Sequence, residues 1–398
     1  MPLSLRPRAF YGAFDRFPSR KGAAVHIDRF ARALFGHLGG SGLLYVLGGD
    51  GLPAYQREGA VEIVRFGRPL ANFLERALAY RARLTALLEE AEAGGALEIC
   101  HFRDPWTGIP VLARPHGYAC VYEVNGLPSI ELPFTYPDLD AETLAKLRAD
   151  EVRCWSEADL VVVPAHTLRE TLIRLGCPSD KVAVVPNGAT LREGPPPPRP
   201  SAAPASYLLY FGALQRWQGI DVALRAFARL ADFPELRLVI CASHASRERH
   251  ALERSARRLG VAERLQWLTA LEEPELAAWR AHALATVAPL TECARNVLQG
   301  CAPLKVLESM ADGVPVVASD LASTREIITD GVDGRLVQAD RPAELARALR
   351  LLLEYPEERA RLGAEAQLTI ARRFRWDDAV ASLQRLYDGI LQRRRMAC

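Results

Sequence analysis

"QGCAPLKVLESMADGVPVVASD" (residues 299–320) sets a Gly-Cys-Ala-Pro entry before a short apolar run that leads directly into Val-Pro-Val-Val. Pro303 suits a first helical residue, because its ring fixes φ and the N–H it lacks has no partner at a helix start anyway. Gly313 suits a left-handed cap, and Pro315 stops the helix from continuing. Between them Leu304, Leu307 and Ala311 form one stripe, while Val306 and Met310 cover a neighbouring face. A helix so apolar is buried nearly all round, which leaves Lys305 and Glu308, three apart on one edge, to find polar surroundings. Its start offers free N–H groups and a positive dipole end, a setting for phosphate. The plainer alternative is a core helix with a weak surface Lys–Glu pair.

The rest of the chain repeats this alternation. Strand-like runs at 43–48, 61–67, 97–102, 120–126, 159–164 and 182–188 are separated by amphipathic stretches at 24–38, 69–93, 140–157 and 166–175. Such alternation predicts a parallel sheet with helices on both faces. "REGPPPPRPSAAPAS" (192–206) has no periodicity and reads as an extended linker. After it, strands at 207–214, 235–243, 264–269, 283–289, 314–319 and 334–338 intercalate with helices at 220–231, 246–259, 273–281, 303–311 and 342–353. The expected architecture is therefore α/β: two Rossmann-like, doubly wound domains. Residues 1–191 form the first, 192–206 the linker and 207–373 the second, and a closing helix over 374–398 packs back on the first. Ligands of such sheets sit outside the carboxyl ends of the strands and, in a two-domain chain, between the lobes.

Bulk composition narrows the function. The 398 residues are 49% hydrophobic and 25% charged with a net charge of +2, which argues against a nucleic-acid binder relying on a basic excess. Of 50 basic residues only Lys21, Lys146, Lys181 and Lys305 are lysines. Eight Cys lie scattered without C-x-x-C or zinc spacing, no signal-peptide core is visible and no run reaches the length of a membrane span. A cytoplasmic protein with free thiols is expected. The one Asp-x-Asp, Asp138-Leu139-Asp140, leads into the amphipathic stretch at 140–157, and no His/Asp cluster with metal spacing is visible, so a metal is not expected.

With "NGAT" (187–190), "GALQRWQGIDVALRAFARL" (212–230), "REIITDGVDGRLV" (325–337) and "RWDDAVASLQRLY" (375–387), the opening stretch resembles the retaining GT-B glycosyltransferases of family 4 over essentially the whole chain. The resemblance implies two domains facing across a cleft, a nucleotide-sugar donor held mainly by the second, and an acceptor held mainly by the first. The family's Glu-x7-Glu signature is half present. Glu308 matches its second Glu and is expected on the donor ribose, whereas the first falls on Gly300. Members reading "PLK" at this point are similar, which implies that Lys305 contributes to the donor site, with the backbone N–H groups of Leu304 and Lys305, after Pro303, meeting the distal phosphate. The family's two early cations fall on Ala213 and Gln218, so Arg216, Lys305 and Arg295 are the substitutes, with an ordinary solvated Arg as the alternative for Arg216 and Arg295. Gly212 opens the matching turn.

In the first domain, "PSRKGAAVHI" (18–27) looks like the family's glycine-rich turn, where Gly22 permits close approach to a ligand and Lys21 reaches an anion; a plain turn is the alternative. Asn125 stands where the family often places a His that contacts the donor sugar. His101, Arg103 and Asp104 end the preceding strand, and His116 is read as structural. The expected reaction is retaining, metal-independent transfer from a nucleotide-diphosphate sugar, UDP-sugar ahead of GDP-sugar, to an acceptor hydroxyl on a glycan, lipid carrier or small molecule. Lys305, Arg216 and Asn125 are its catalytic residues, and Glu308, Leu304, Pro303, Gly212, Gly22 and Arg295 bind the donor. Alternatives are a degenerate sugar-nucleotide binder, because fold does not imply activity, and an epimerase or phosphorylase on the same fold. For the Arg-rich helix over 68–90, a core stripe with solvated Arg is the stronger reading and peripheral contact with a membrane's inner face the weaker.

Overall fold

A computed structural model describes residues 6–20, 22–49, 51–95, 97–113, 115–300 and 302–397. The chain divides into two units, residues 1–186 with 379–398, and residues 187–378. In the first, strands β1 (Ala9–Arg16), β2 (Gly42–Leu47), β3 (Tyr55–Glu58), β4 (Val61–Phe66), β5 (Ile99–Phe102), β6 (Ala119–Glu123), β7 (Leu160–Val163) and β8 (Val182–Val184) form one sheet. Its order is β3-β4-β2-β1-β5-β6-β7-β8, parallel except for the edge strand β3 against β4. Helices α1 (Gly22–His37), α2 (Phe73–Ala93), α3 (Pro105–Leu112), α4 (Pro128–Thr135), α5 (Ala141–Glu157) and α6 (His166–Arg174) connect the strands. The first six residues of β1 are all buried. A strand covered on both faces reads as a continuous apolar run rather than an alternating one, so "AFYGAFDR" escapes the sequence reading although it lies at the middle of the sheet. Helices α3 and α4 escape it too, because each begins with Pro and carries a second Pro inside and so reads as a loop.

The second unit holds β9 (Ser206–Gly212), β10 (Leu236–Ala242), β11 (Leu265–Thr269), β12 (Ala285–Ala288), β13 (Val316–Ser319) and β14 (Arg335–Val337) in the all-parallel order β11-β10-β9-β12-β13-β14. Around it run α7 (Ile220–Ala228), α8 (Glu248–Arg258), α9 (Glu273–Ala281), α10 (Leu304–Ala311), α11 (Ala322–Arg325), α12 (Pro342–Glu354) and α13 (Pro356–Arg373). The last helix, α14 (Trp376–Ala397), begins in this unit and ends in the first. There Leu383, Tyr387 and Ile390 are fully buried. Strand order reverses between β1 and β5 in one sheet and between β9 and β12 in the other, and the carboxyl ends at such reversals are where α/β sheets hold ligands.

Three expectations are corrected. The division falls at Pro186/Asn187 rather than after Leu191, because Asn187 Nδ2 donates to Ala302 O at 3.0 Å and Ala189 N to Phe374 O at 2.8 Å. The Pro-rich stretch is laid along the second unit rather than hanging free: Pro197 O lies 2.7 Å from His282 Nε2, Gln266 Nε2 donates to Ala202 O, and Arg199 covers the ring of Tyr207. In α10, Pro303 is the cap rather than the first helical residue. Its ψ of 108° is extended, and the helix begins at Leu304. Gly313 adopts the expected left-handed conformation, with φ of 71°.

Candidate active site

Lys305, in the first turn of α10, extends to the end of β9. Its Nζ donates to Tyr210 Oη at 3.1 Å and to Gln218 Oε1 at 2.7 Å, and lies 4.2 Å from the Tyr210 ring centroid. The Tyr210 hydroxyl gives its proton to Ala213 O, so it meets the ammonium as an acceptor. Gly212 ends β9 with φ of 127°, and a Cβ there would come within 3.2 Å of Lys305 Nζ. The positive φ is what calls for glycine at this position, and the ammonium beside it leaves a Cβ little room. Residues 216–218 form a single 3-10 turn, and Gly219 follows with φ of 72°. Asn296 Nδ2 donates to Trp217 O at 2.9 Å and Thr291 O at 2.8 Å, tying this turn to the segment after β12. Arg295 stacks over Trp217 at 5.2 Å, and residues 295–299 wind as one π-turn, a distortion common at functional sites.

One turn along α10, Glu308 faces Arg280. The guanidinium is buried and donates to Asp312 Oδ2 at 2.7 Å and to Glu273 Oε1 at 2.7 Å, while Glu308 Oε2 lies 4.0 Å away. Glu308 is thus the carboxylate farthest from the guanidinium and without a hydrogen bond from it at this distance. Burial pushes its carboxyl up to about 7, only partly opposed by Arg280, and Glu273 and Asp312 push in the same direction as burial. The side chain still keeps 24% of its surface accessible, so the group is deep yet reachable. Among the described residues, no group of three or more His, Cys, Asp and Glu side chains is arranged to hold a metal ion.

At the reversal point of the first sheet a second polar cluster surrounds Glu123, the last residue of β6. Tyr11 Oη donates to Glu123 Oε2 at 2.7 Å, Arg103 Nε to Oε1 at 2.7 Å, and Asn125 Nδ2 to Oε1 at 2.5 Å. His26 Nδ1 and His101 Nε2 lie 3.0 and 3.1 Å from the same carboxylate. Burial opposes its charge, but His26 and Arg103 with these hydrogen bonds outweigh burial and hold it well below the usual range. Asp104 has a different task. It caps α3 through Thr107 N at 2.8 Å and accepts from Phe14 N at 2.6 Å, and burial raises it to about 6.

The structure therefore brings Lys305, Gly212 and the 216–219 turn together, with Arg295 stacked on that turn and Glu308 on the same helix. On their shared edge of α10, Lys305 reaches Tyr210 and Gln218 while Glu308 faces Arg280, rather than forming the surface pair of the plainer alternative. Arg216 is exposed, Leu304 is half-buried at the helix start, and Gly22 is the first residue of α1. Lys21 lies outside the described residues. Asn125 falls just past β6, held by a residue that sequence reading passes over. Glu123 is detectable as a lone charge in "ACVYEV", an otherwise apolar buried strand. Arg280, on an ordinary-looking amphipathic helix, carries no such signal. On α2, Tyr80, Leu84, Leu87 and Leu88 face the core, and Arg81 pairs with Asp150 at 3.1 Å. Among the described residues no helix is long and apolar enough to cross a membrane.

Two doubly wound α/β units, each with one sheet that reverses its strand order at the middle, are the architecture of the GT-B class. The family model for Glycosyltransferase Family 4 matches residues 20–193, and that for Glycosyl transferases group 1 matches residues 198–369. The chain belongs to the family 4-like GT-B glycosyltransferases. It is 34% identical to the D-inositol 3-phosphate glycosyltransferase of Thermobispora bispora over 59% of this chain and 57% of that one. It is 33% identical to that of Streptosporangium roseum, over 69% and 65%. The matches thus span between about half and two thirds of these relatives' length. Among solved structures it resembles sucrose-phosphate synthase from Thermosynechococcus elongatus, with a TM-score of 0.78 and 17% identity over 97% of this chain and 99% of that one. Anabaena HepE in complex with UDP and glucose gives a TM-score of 0.72 at 16% identity, over 96% and 100%. At such identities the likeness is one of fold.

Proposed function

We propose that this protein moves a glycosyl group from a nucleoside-diphosphate sugar, a UDP-sugar ahead of a GDP-sugar, to an acceptor hydroxyl, with retention of configuration. The bond from the anomeric carbon to the diphosphate oxygen breaks, the acceptor oxygen bonds to that carbon on the same face, and the hydroxyl proton passes to the departing phosphate. The observation that carries this reading is the Lys305 ammonium, fixed between Tyr210 and Gln218 at the end of β9 and at the start of α10. There it neutralises the leaving diphosphate together with the helix dipole and the amides of Leu304 and Lys305 that follow Pro303. Cations and dipoles fixed in advance against developing charge are usually the largest catalytic contribution, with a single donor worth about 3 kcal/mol. Arg216 and Arg295 supply further positive charge from the chain itself, Glu308 accepts the ribose hydroxyls, Gly212 admits the phosphate to the backbone, and Asn125 meets the sugar. The UDP preference draws on the UDP seen in the HepE structure and on a trehalose-6-phosphate neighbour from E. coli bound with UDP-2-fluoro glucose.

The test is thermal stabilisation by UDP, GDP and ADP, with wild type and Lys305→Ala side by side. UDP is expected to raise the wild-type Tm, and the variant to lose affinity by about 10- to 150-fold, the range of a charge-assisted hydrogen bond. No shift with any diphosphate in wild type would sink the reading. Ala213, Gln218 and Gly300 at the three departures favour one second reading, a sugar-nucleotide binder without turnover. It predicts a UDP shift with no UDP released from UDP-glucose.

A further inference from the structure

Five side chains from four places in the first unit converge on one buried carboxylate. Tyr11 comes from β1, His26 from α1, His101 and Arg103 from β5 and the residue after it, and Asn125 from the loop after β6. Behind them His101 Nδ1 lies 2.8 Å from Tyr387 Oη of α14, and Arg103 Nη1 lies 3.6 Å from Asp15. We propose that Glu123 is the positioning residue for Asn125: by accepting the Nδ2 proton it fixes which way the amide is turned, so that Oδ1 is the atom presented to the bound sugar. This rests on the reading that residue 125 meets the donor sugar.

The argument is one of donor and acceptor capacity. An ionised carboxylate carries no proton and only accepts, whereas an amide has one face that donates and one that accepts. Turning the Asn125 amide over would place Oδ1 where Nδ2 now stands, 2.5 Å from Glu123 Oε1, so that two acceptors would meet. His26 and Arg103 keep the carboxylate in its accepting form, and burial keeps His101 neutral against the pull of Glu123. Glu123 is 1% exposed and meets no solvent, whereas Asn125 is half-buried. The outward Oδ1 then accepts from a sugar hydroxyl or faces positive charge developing at the anomeric carbon.

Asn125→Asp tests this directly. To bond Glu123, the introduced carboxyl must hold a proton. It then donates inward and presents its carbonyl outward, as the amide does. When that proton leaves, two carboxylates face each other, so the proton is held to higher pH than usual. The rate of UDP release from UDP-glucose by the variant is expected to fall about tenfold per pH unit above its midpoint, a limb that wild type lacks, with little change in KM. In the double variant Glu123→Gln/Asn125→Asp the neighbouring charge is gone, and the midpoint drops by about one pH unit or more. The same midpoints are read without turnover from the pH dependence of Tm in the two variants. Coincident midpoints overturn the proposal, and so does a rate indifferent to the protonation of residue 125. Separated Tm midpoints in a protein that UDP does not stabilise would uphold the hold of Glu123 on residue 125 and place the failure in the donor reading.

Discussion

Burial around α10 holds the Glu308 carboxyl protonated up to about pH 7, and the sign of that shift makes two predictions. Below about pH 4.5 folded and unfolded chains both carry the proton, so the group has no effect on stability. Between there and pH 7 the unfolded chain releases its proton while the folded one retains it, so stability falls as pH rises and levels off above pH 7. Glu308→Gln removes this slope. The variant is expected to gain on wild type by up to about 3 kcal/mol between pH 4.5 and pH 8, measured by urea denaturation at each pH. The second prediction concerns binding. If the ionised form accepts the ribose hydroxyls, UDP affinity in wild type rises between pH 6 and pH 8 beyond what the nucleotide's own phosphate titration gives. Glu308→Gln shows only the phosphate contribution. An identical pH profile for the two proteins in calorimetric titration would remove Glu308 from the ribose site.

At the scale of elements, the turn between β9 and α7 is fixed by a close contact. Gly219 has φ of 72°, and a Cβ there would stand 1.6 Å from Pro289 O, where Thr291 N also donates to Trp217 O at 3.0 Å. Gly219→Ala must therefore shift the backbone of two loops, not one side chain. Left-handed strain alone costs about 1–3 kcal/mol, and displacing Trp217 and Gln218 releases Lys305 from its acceptor. The expected result is a lower denaturation midpoint together with loss of the UDP shift; a variant that loses stability but binds UDP normally would separate the turn from the site. The sequence makes α10 readable because Pro, Gly and the apolar stripe are local signals, and the Val-rich strands declare themselves the same way. What it hides are long-range matters. Nothing near Lys305 in sequence says that its ammonium ends between Tyr210 and Gln218, some 90 residues away. Gln218, which reads as a lost cation, turns out to hold the lysine that stands in its neighbourhood. Strand β1 is hidden for another physical reason: a strand buried on both faces has no period to detect.

At the scale of the whole molecule, α14 makes the first unit depend on the last residues of the chain. Leu383, Tyr387 and Ile390 are fully buried in that unit, and each large apolar side chain contributes about 1.5–3 kcal/mol by burial. Arg394 pairs with Asp159 at 3.0 Å, and Asp159 in turn accepts from Cys120 N on β6 at 2.7 Å. His101, wholly buried, loses Tyr387 if the helix is absent, and a buried polar group without its partner costs about 1–3 kcal/mol more. The sum, roughly 6–12 kcal/mol, is comparable with the whole stability of an ordinary domain, about 5–15 kcal/mol. Ending the chain after Asp378 is therefore expected to unfold the first unit. The second unit has its own core around Leu208, Leu224, Ile240 and Val287, closes without those residues, and keeps Lys305, Glu308 and Gly212. Calorimetry of the shortened chain should show a single transition that UDP still raises, with the second transition gone. Two transitions as in the full chain would mean that the first unit stands without its returning helix. A single transition that UDP no longer moves would mean that the nucleotide needs more than the second unit provides.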